Sequence, residues 1–212
     1  MTSKQRAAML VAEFLGTFAL ASAVLAMITG GGDLLQTAVA AGFTLGLMVL
    51  VIGPVSGAHI NPAVTLGLWS TRQVETAQAA AYWVAQMLGG LAAWKLHDYL
   101  RDVPLQSLGG AGFDGKLLVA EALGTLVFTF GIAAAVSRKY DGGKLAAAVG
   151  GSLFLGVLIA AELGSNAVLN PAVAVGIQSW SWTYAVAPLV GGALGMNLYT
   201  GLFAEPTKSK KK

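Results

Sequence analysis

The sequence predicts an all-α membrane protein: six transmembrane helices plus two re-entrant half-helices, laid out as an inverted repeat within a single domain, 1–212. Three observations lead there. Only 11% of the 212 residues are charged and 56% are apolar or aromatic, whereas a soluble domain carries about 25% charged residues. Six stretches reach the ~20 mostly apolar residues that a spanning helix needs. A block of residues around an Asn-Pro-Ala triplet also occurs twice, at corresponding places in the two halves of the chain.

The six stretches lie at about 7–28, 34–53, 76–97, 116–137, 144–163 and 182–204, and they leave no room for a soluble domain. The first runs past the length of a signal-peptide core, and no small-residue cleavage site is clear before Gly30-Gly31-Gly32-Asp33, so it reads as a span. The 28 glycines suit membrane helices that pack closely. Gly42 with Gly46, and Gly191 with Gly195, have the small-xxx-small spacing of close crossings. The chain has no cysteine and two distant histidines, which excludes disulfides, thiolate chemistry and a spaced metal site. No Ser/His/Asp or paired-carboxylate constellation is recognisable. The expectation is a protein that is not an enzyme, with no cofactor, no metal and no nucleic-acid partner.

Charge placement gives the orientation. With a cytoplasmic N-terminus, Lys4, Arg6, Arg72, Arg138, Lys139, Lys144, Lys208, Lys210, Lys211 and Lys212 fall inside, against Lys95, Arg101 and Lys116 outside. By the positive-inside rule both termini are cytoplasmic. The Lys-rich segment 208–212 reads as a solvated tail, with binding to anionic lipid as the alternative. Short loops and the lack of a recognisable signal peptide suggest a prokaryotic inner (plasma) membrane.

The repeat is specific. Ala12-Glu13-Phe14-Leu15-Gly16-Thr17 recurs as Ala120-Glu121-Ala122-Leu123-Gly124-Thr125. Ser56-Gly57-Ala58-His59-Ile60-Asn61-Pro62-Ala63-Val64 recurs as Ser165-Asn166-Ala167-Val168-Leu169-Asn170-Pro171-Ala172-Val173, and Tyr82 with Gly89-Gly90 is echoed by Tyr184 with Gly191-Gly192. Repeat 1 covers about 7–97 and repeat 2 about 116–204. Each unit holds three spans, and an odd number inserts the second unit upside down relative to the first. Such inverted repeats place a functional site near the bilayer midplane.

Each triplet precedes only about ten apolar residues, 61–70 and 170–179. Ten helical residues reach ~15 Å, half of a ~30 Å hydrocarbon core. Pro62 and Pro171 suit the first helical turn, and Asn61 and Asn170 suit the N-cap. The segments before them, 57–60 and 165–169, read as non-helical backbone, which is tolerated at membrane depth where it lines a cavity or is buried in protein. The two elements then meet from opposite sides. They form a narrow water-filled path whose centre carries two amides, two helix N-termini and exposed carbonyls. A neutral hydroxylated molecule can exchange water for these groups; a cation meets two positive helix ends.

These residues resemble the aquaporin/glycerol-facilitator (major intrinsic protein) family. Ser-Gly-Ala-His-Ile-Asn-Pro-Ala-Val-Thr at 56–65 is close to the family's first signature, and the likeness runs over essentially the whole chain, including Ala85-Gln86 and Gly89-Gly90 in the third span. The resemblance implies one pore per subunit, a homotetramer in the lipid bilayer, and passive conduction of water or small neutral solutes such as glycerol. Gly57, Ala58, His59, Asn166 and Ala167 then correspond to pore-lining backbone, and Asn61, Pro62, Ala63, Asn170, Pro171 and Ala172 to the pore midplane. Glu13 and Glu121 correspond to anchors of the half-helix loops, with a proton relay as the alternative. The family's filter Arg is replaced here by Val173. The other filter positions fall on Ala41, on Val157 or Leu158, and on Val168. The filter is therefore expected to be wide and apolar, which makes strict water selectivity unexpected.

Glu162 has no counterpart in the first half and reads either as a vestibule carboxylate or as a side chain reaching the interface. With the missing Arg it motivates a cation-permeable pore as the alternative function. His59 reads as a structural loop residue, with a pH gate as the alternative. Trp180, Trp182 and Tyr184 read as an aromatic belt.

Overall fold

The computed structural model describes residues 1–110 and 112–204. The Lys-rich segment 208–212 lies outside the described residues. Eight helices follow one another: α1 (Ser3–Thr29), α2 (Leu34–Ser56), α3 (Pro62–Ser70), α4 (Thr76–Arg101), α5 (Gly115–Ser137), α6 (Gly142–Glu162), α7 (Pro171–Gly176) and α8 (Trp182–Leu202). Among the described residues there is no strand.

The helix starts follow local chemistry. Thr2 and Asp33 form capping boxes with Gln5 and Gln36, and Asp114 and Ser181 accept backbone N–H bonds at the starts of α5 and α8. Pro62 and Pro171 open α3 and α7, where a missing N–H costs nothing. The two half-helices span 9 and 6 residues. The second is shorter than the apolar run 170–179 suggested, because Gln178 turns to φ 58 and Ser179 bonds back to the Ala174 carbonyl. Five of the long helices, α1, α2, α5, α6 and α8, are apolar and long enough to cross a membrane. The sixth, α4, has the length but carries Gln78, Gln86 and a polar end that includes Lys95, Asp98 and Arg101. The chain is an integral membrane protein.

Packing repeats the inverted order. In the first unit α1 packs on α2 and α4; in the second α5 packs on α6 and α8. Each half-helix lies against the last long helix of the other unit, α3 on α8 and α7 on α4, while α2 and α6 join the units. Glycines permit these approaches. A Cβ on Gly90 would overlap the Ala172 carbonyl of α7, and one on Gly192 would lie 2.5 Å from the Ala63 carbonyl of α3. Gly42 and Gly46 meet α6 at Gly150 and Ala146, and Gly191 and Gly195 meet α5 at Ala122 and Leu126. Both small-xxx-small pairs thus sit at helix crossings.

Candidate functional site

The segments before α3 and α7 leave the helical path in the same way. Ala58 and Ile60 have φ of 50 and 39, and Ala167 and Leu169 have φ of 51 and 52. Left-handed backbone costs an L-residue roughly 1–2 kcal/mol, and Ile60 is β-branched, so both loops need an external hold. A buried carboxyl group supplies it. Glu13 Oε1 accepts from Ser56 Oγ (2.7 Å) and His59 N (3.0 Å), and its Oε2 accepts from Ile60 N (2.6 Å) and Gln86 Nε2 (2.8 Å). Glu121 does the same for Ser165 Oγ (2.8 Å), Val168 N (2.9 Å) and Leu169 N (2.8 Å). Both glutamates are fully buried. Every oxygen faces donors, which is how a carboxyl group is tolerated inside a membrane protein.

The two loops meet through their asparagines. Asn61 Nδ2 donates to the Leu169 carbonyl (2.9 Å), and Asn170 Nδ2 donates to the Ile60 carbonyl (3.0 Å). The Oδ1 atoms turn the other way. Asn61 Oδ1 accepts from Ala63 N (2.7 Å), and Asn170 Oδ1 accepts from Ala172 N (3.0 Å) and Val173 N (3.3 Å). Each amide thus caps its own half-helix and clasps the opposite loop, and its second N–H meets no acceptor among the described residues. Pro62, Ala63, Pro171 and Ala172 are buried behind the asparagines and set the starts of α3 and α7.

A cavity of about 160 Å³ runs from this clasp toward the end of the bundle where the loops after α1, α4 and α6 lie. That is space for several waters at ~30 Å³ each. Asn61, Asn170 and His59 form its deep end, and Ala41, Val157, Val168 and Val173 line its course. Asn166 and Ala167 also line it, whereas Gly57 and Ala58 stand outside its wall. Of the two adjacent α6 candidates, Val157 faces the cavity; Leu158, turned ~100° around the helix, packs against the core. Glu162 is exposed and is not part of the cavity wall. His59 Nδ1 lies 3.1 Å from Thr65 Oγ1, and its ring meets Tyr82 edge-on.

Two sets of residues escaped sequence reasoning. Tyr82 and Tyr184 are both buried and bind the loops: Tyr82 Oη donates to the Ser56 carbonyl (2.7 Å), and Tyr184 Oη accepts from Asn166 N (3.0 Å). Tyr184 is therefore not part of an interfacial belt. Its pairing with Tyr82 in the repeat was the signal, and the exposed Trp180 and Trp182 masked it. Leu108 also lines the cavity, with its N–H on the Gln178 carbonyl and its own carbonyl accepting from Asn166 Nδ2. It comes from an irregular loop with no pattern to reveal it.

An inverted pair of helical units, each feeding a half-helix into a shared clasp at the foot of a cavity, defines the class of integral membrane protein to which this fold belongs. Residues 1–199 match the Major intrinsic protein family. The chain belongs to this family, whose members are channels rather than enzymes. It is 35% identical to aquaporin TIP4-4 of Zea mays over 92% of this chain and 84% of that one. It is 33% identical to aquaporin Z of Rhodopseudomonas palustris over 93% and 94%. The aquaglyceroporin of Plasmodium falciparum has the same fold, with a TM-score of 0.76 at 22% identity over 93% of this chain and 96% of that one.

Proposed function

We propose that this protein is a passive channel for water and small neutral solutes such as glycerol, with one pore in each subunit. Membership of a family of channels supports the class of function. One observation carries the path: the reciprocal Asn61–Leu169 and Asn170–Ile60 hydrogen bonds, which close the deep end of the cavity. At this clasp each amide offers its second N–H to a passing oxygen. The helix N-termini of α3 and α7 add partial positive charge there, which disfavours cations. Ala41, Val157, Val168 and Val173 act as a wide apolar filter, with no side-chain donor to hold water selectively. Glu13 and Glu121 hold the loops rather than relay protons, since their oxygens are occupied by loop and side-chain donors. The cation-permeable alternative loses support at Glu162, which is exposed away from the cavity wall.

The same reading includes a homotetramer, cytoplasmic termini and a prokaryotic inner membrane, as charge bias and family resemblance suggest. Stopped-flow light scattering on proteoliposomes tests the function. An impermeant osmolyte should give shrinkage faster than in protein-free vesicles, and glycerol should give fast shrinkage followed by fast re-swelling. Folded protein with neither response would overturn the reading.

A further inference from the structure

Away from the central cavity, α1 and α4 leave a groove of about 490 Å³ between them. Its α1 wall runs from Phe18 to Gly30 and its α4 wall from Ala93 to Arg101. At ~1.5 Å per residue the stretch from Phe18 to Gly30 rises ~18 Å, close to the ~15 Å of hydrocarbon in one leaflet. The groove is charged at one end only. Phe18, Leu25, Leu96 and Leu100 line its course, while His97 and Arg101, one turn apart on α4, stand where α1 and α4 end. None of the described residues that line it is acidic. Of the nearby carboxylates, Asp98 Oδ1 accepts from Leu105 N (3.0 Å), and Asp102 lies past the helix end in left-handed backbone (φ 51). The Lys95 ammonium sits over the Trp94 ring, 3.5 Å from its centroid.

The inverted repeat supplies a comparison. Its register sets Ser22, His97 and Arg101 of this groove against Phe130, Tyr199 and Phe203 of the α5–α8 pair. There the three rings pack on one another, with centroids 5.1, 5.6 and 5.9 Å apart. The second unit thus covers its helix pair with its own aromatic side chains. The first unit places a hydroxyl, an imidazole and a guanidinium at the same positions, and the space between the helices stays open. In a bilayer such a slot takes a lipid chain, because an empty apolar slot forfeits contacts on one side. The guanidinium at its end then selects the charge of the headgroup.

We propose that this groove binds an anionic phospholipid, with one acyl chain along Phe18, Leu25 and Leu96 and the phosphate on Arg101 and His97. Arg101 offers paired N–H donors to phosphate oxygens, and a His97 ring N–H adds another. A zwitterionic lipid carries the same phosphate with a compensating ammonium, so net charge decides the preference. Ser22 keeps the slot open, since a ring in its place would stand in the path of the chain. The site depends on the membrane setting of the fold and is independent of what the central cavity conducts.

Native mass spectrometry counts the lipids bound to the full chain after incubation, in non-ionic detergent, with equal amounts of dioleoylphosphatidylglycerol and dioleoylphosphatidylcholine. The parent should favour the anionic lipid, and Arg101→Gln should lower that preference roughly fivefold. Arg72→Gln, which removes a cation outside the groove, should change it less than twofold. Ser22→Phe retains both headgroup contacts and fills the slot, so it should remove one bound phospholipid of either kind. Equal effects of Arg101→Gln and Arg72→Gln would reduce the preference to general attraction by basic residues and overturn the site, whether or not Ser22→Phe is recovered folded. Displacement of the lipid by millimolar inorganic phosphate would make it a free-anion site and overturn the proposal as well. A changed oligomeric mass in Arg101→Gln with an unaltered lipid ratio would assign the groove to a second copy of the chain instead.

Discussion

Replacing Glu121 by glutamine and then by alanine tests whether the second loop is held open by its carboxyl group. In Glu121→Gln the amide NH2 must take the place of one oxygen. At either site it faces a backbone N–H, that of Val168 or that of Leu169, so one of these loses its acceptor. The Ser165 hydroxyl can turn and accept, so its bond survives. An orphaned buried N–H costs about 1–3 kcal/mol, and the remaining bonds lose their charge assistance, for a total of roughly 2–4 kcal/mol. In Glu121→Ala both N–H groups are orphaned and a cavity remains, so the loss grows by roughly another 1–3 kcal/mol. For a chain of this length 1 kcal/mol moves Tm by roughly 2–4 °C, which gives a drop of roughly 5–15 °C for the glutamine variant. Thermal unfolding in detergent, followed by the fluorescence of the five tryptophans, reads it. A glutamine variant as stable as the parent, or an alanine variant no worse than the glutamine one, would refute the clamp.

Asn170→Ala removes a cap and the clasp on Ile60 together; a loss of roughly 2–3 kcal/mol is expected, with slower water flux in the same vesicles. Gly90→Val drives a side chain into the Ala172 carbonyl and should prevent recovery of monodisperse protein by size exclusion. Gly143→Val, where nothing lies within 4 Å, should be recovered normally. Val173→Arg brings five N–H donors and bulk into the cavity course, so glycerol re-swelling should slow severalfold; unchanged glycerol flux sinks the filter assignment.

Much of the fold was legible because it rests on rules that act locally. Length and apolarity marked the long helices, a proline after an asparagine marked each half-helix start, and an odd number of spans fixed the inversion. The loop clamps were legible at Glu13 and Glu121 because a carboxyl group inside a membrane helix must find donors, and the family resemblance said that the half-helix loops supply them. What stayed hidden depends on rotation and on irregular backbone. One step along α6 separates Val157 on the cavity from Leu158 in the core, and the sequence left both open. The exposure of Glu162 follows from where α6 ends, and helix ends are set by capping rather than by the apolar pattern. Leu108 reaches the cavity through two hydrogen bonds from an irregular loop.

The two halves agree wherever the scaffold needs them to and differ in side chains around the two loops. Glutamate, serine, asparagine and proline recur in both units and do the same mechanical work twice, while the paired tyrosines hold their loops through different bonds, Tyr82 donating to the Ser56 carbonyl and Tyr184 accepting from Asn166 N. The residues around the first loop then add polar groups that the second lacks. His59, Thr65 and Gln86 are joined by hydrogen bonds, with Gln86 Nε2 at 2.9 Å from Thr65 Oγ1. Their counterparts by the repeat are Val168, Ala174 and Pro188. A symmetric scaffold therefore has asymmetric surroundings, and of these pairs His59 and Val168 line the cavity. The clasp can be duplicated because it handles backbone, which is the same in both units. The lining diverges without unfolding the protein because a Val in place of a His removes no bond on which the loop depends: the Glu121 clamp holds Val168 through its N–H alone. On the proposed function, selectivity and stability reside in different atoms of the same loop. On that proposal, side chains such as those of Val168 and Val173, which line the cavity, can be exchanged to change the solute, while a change at Glu121 removes bonds that the loop backbone needs.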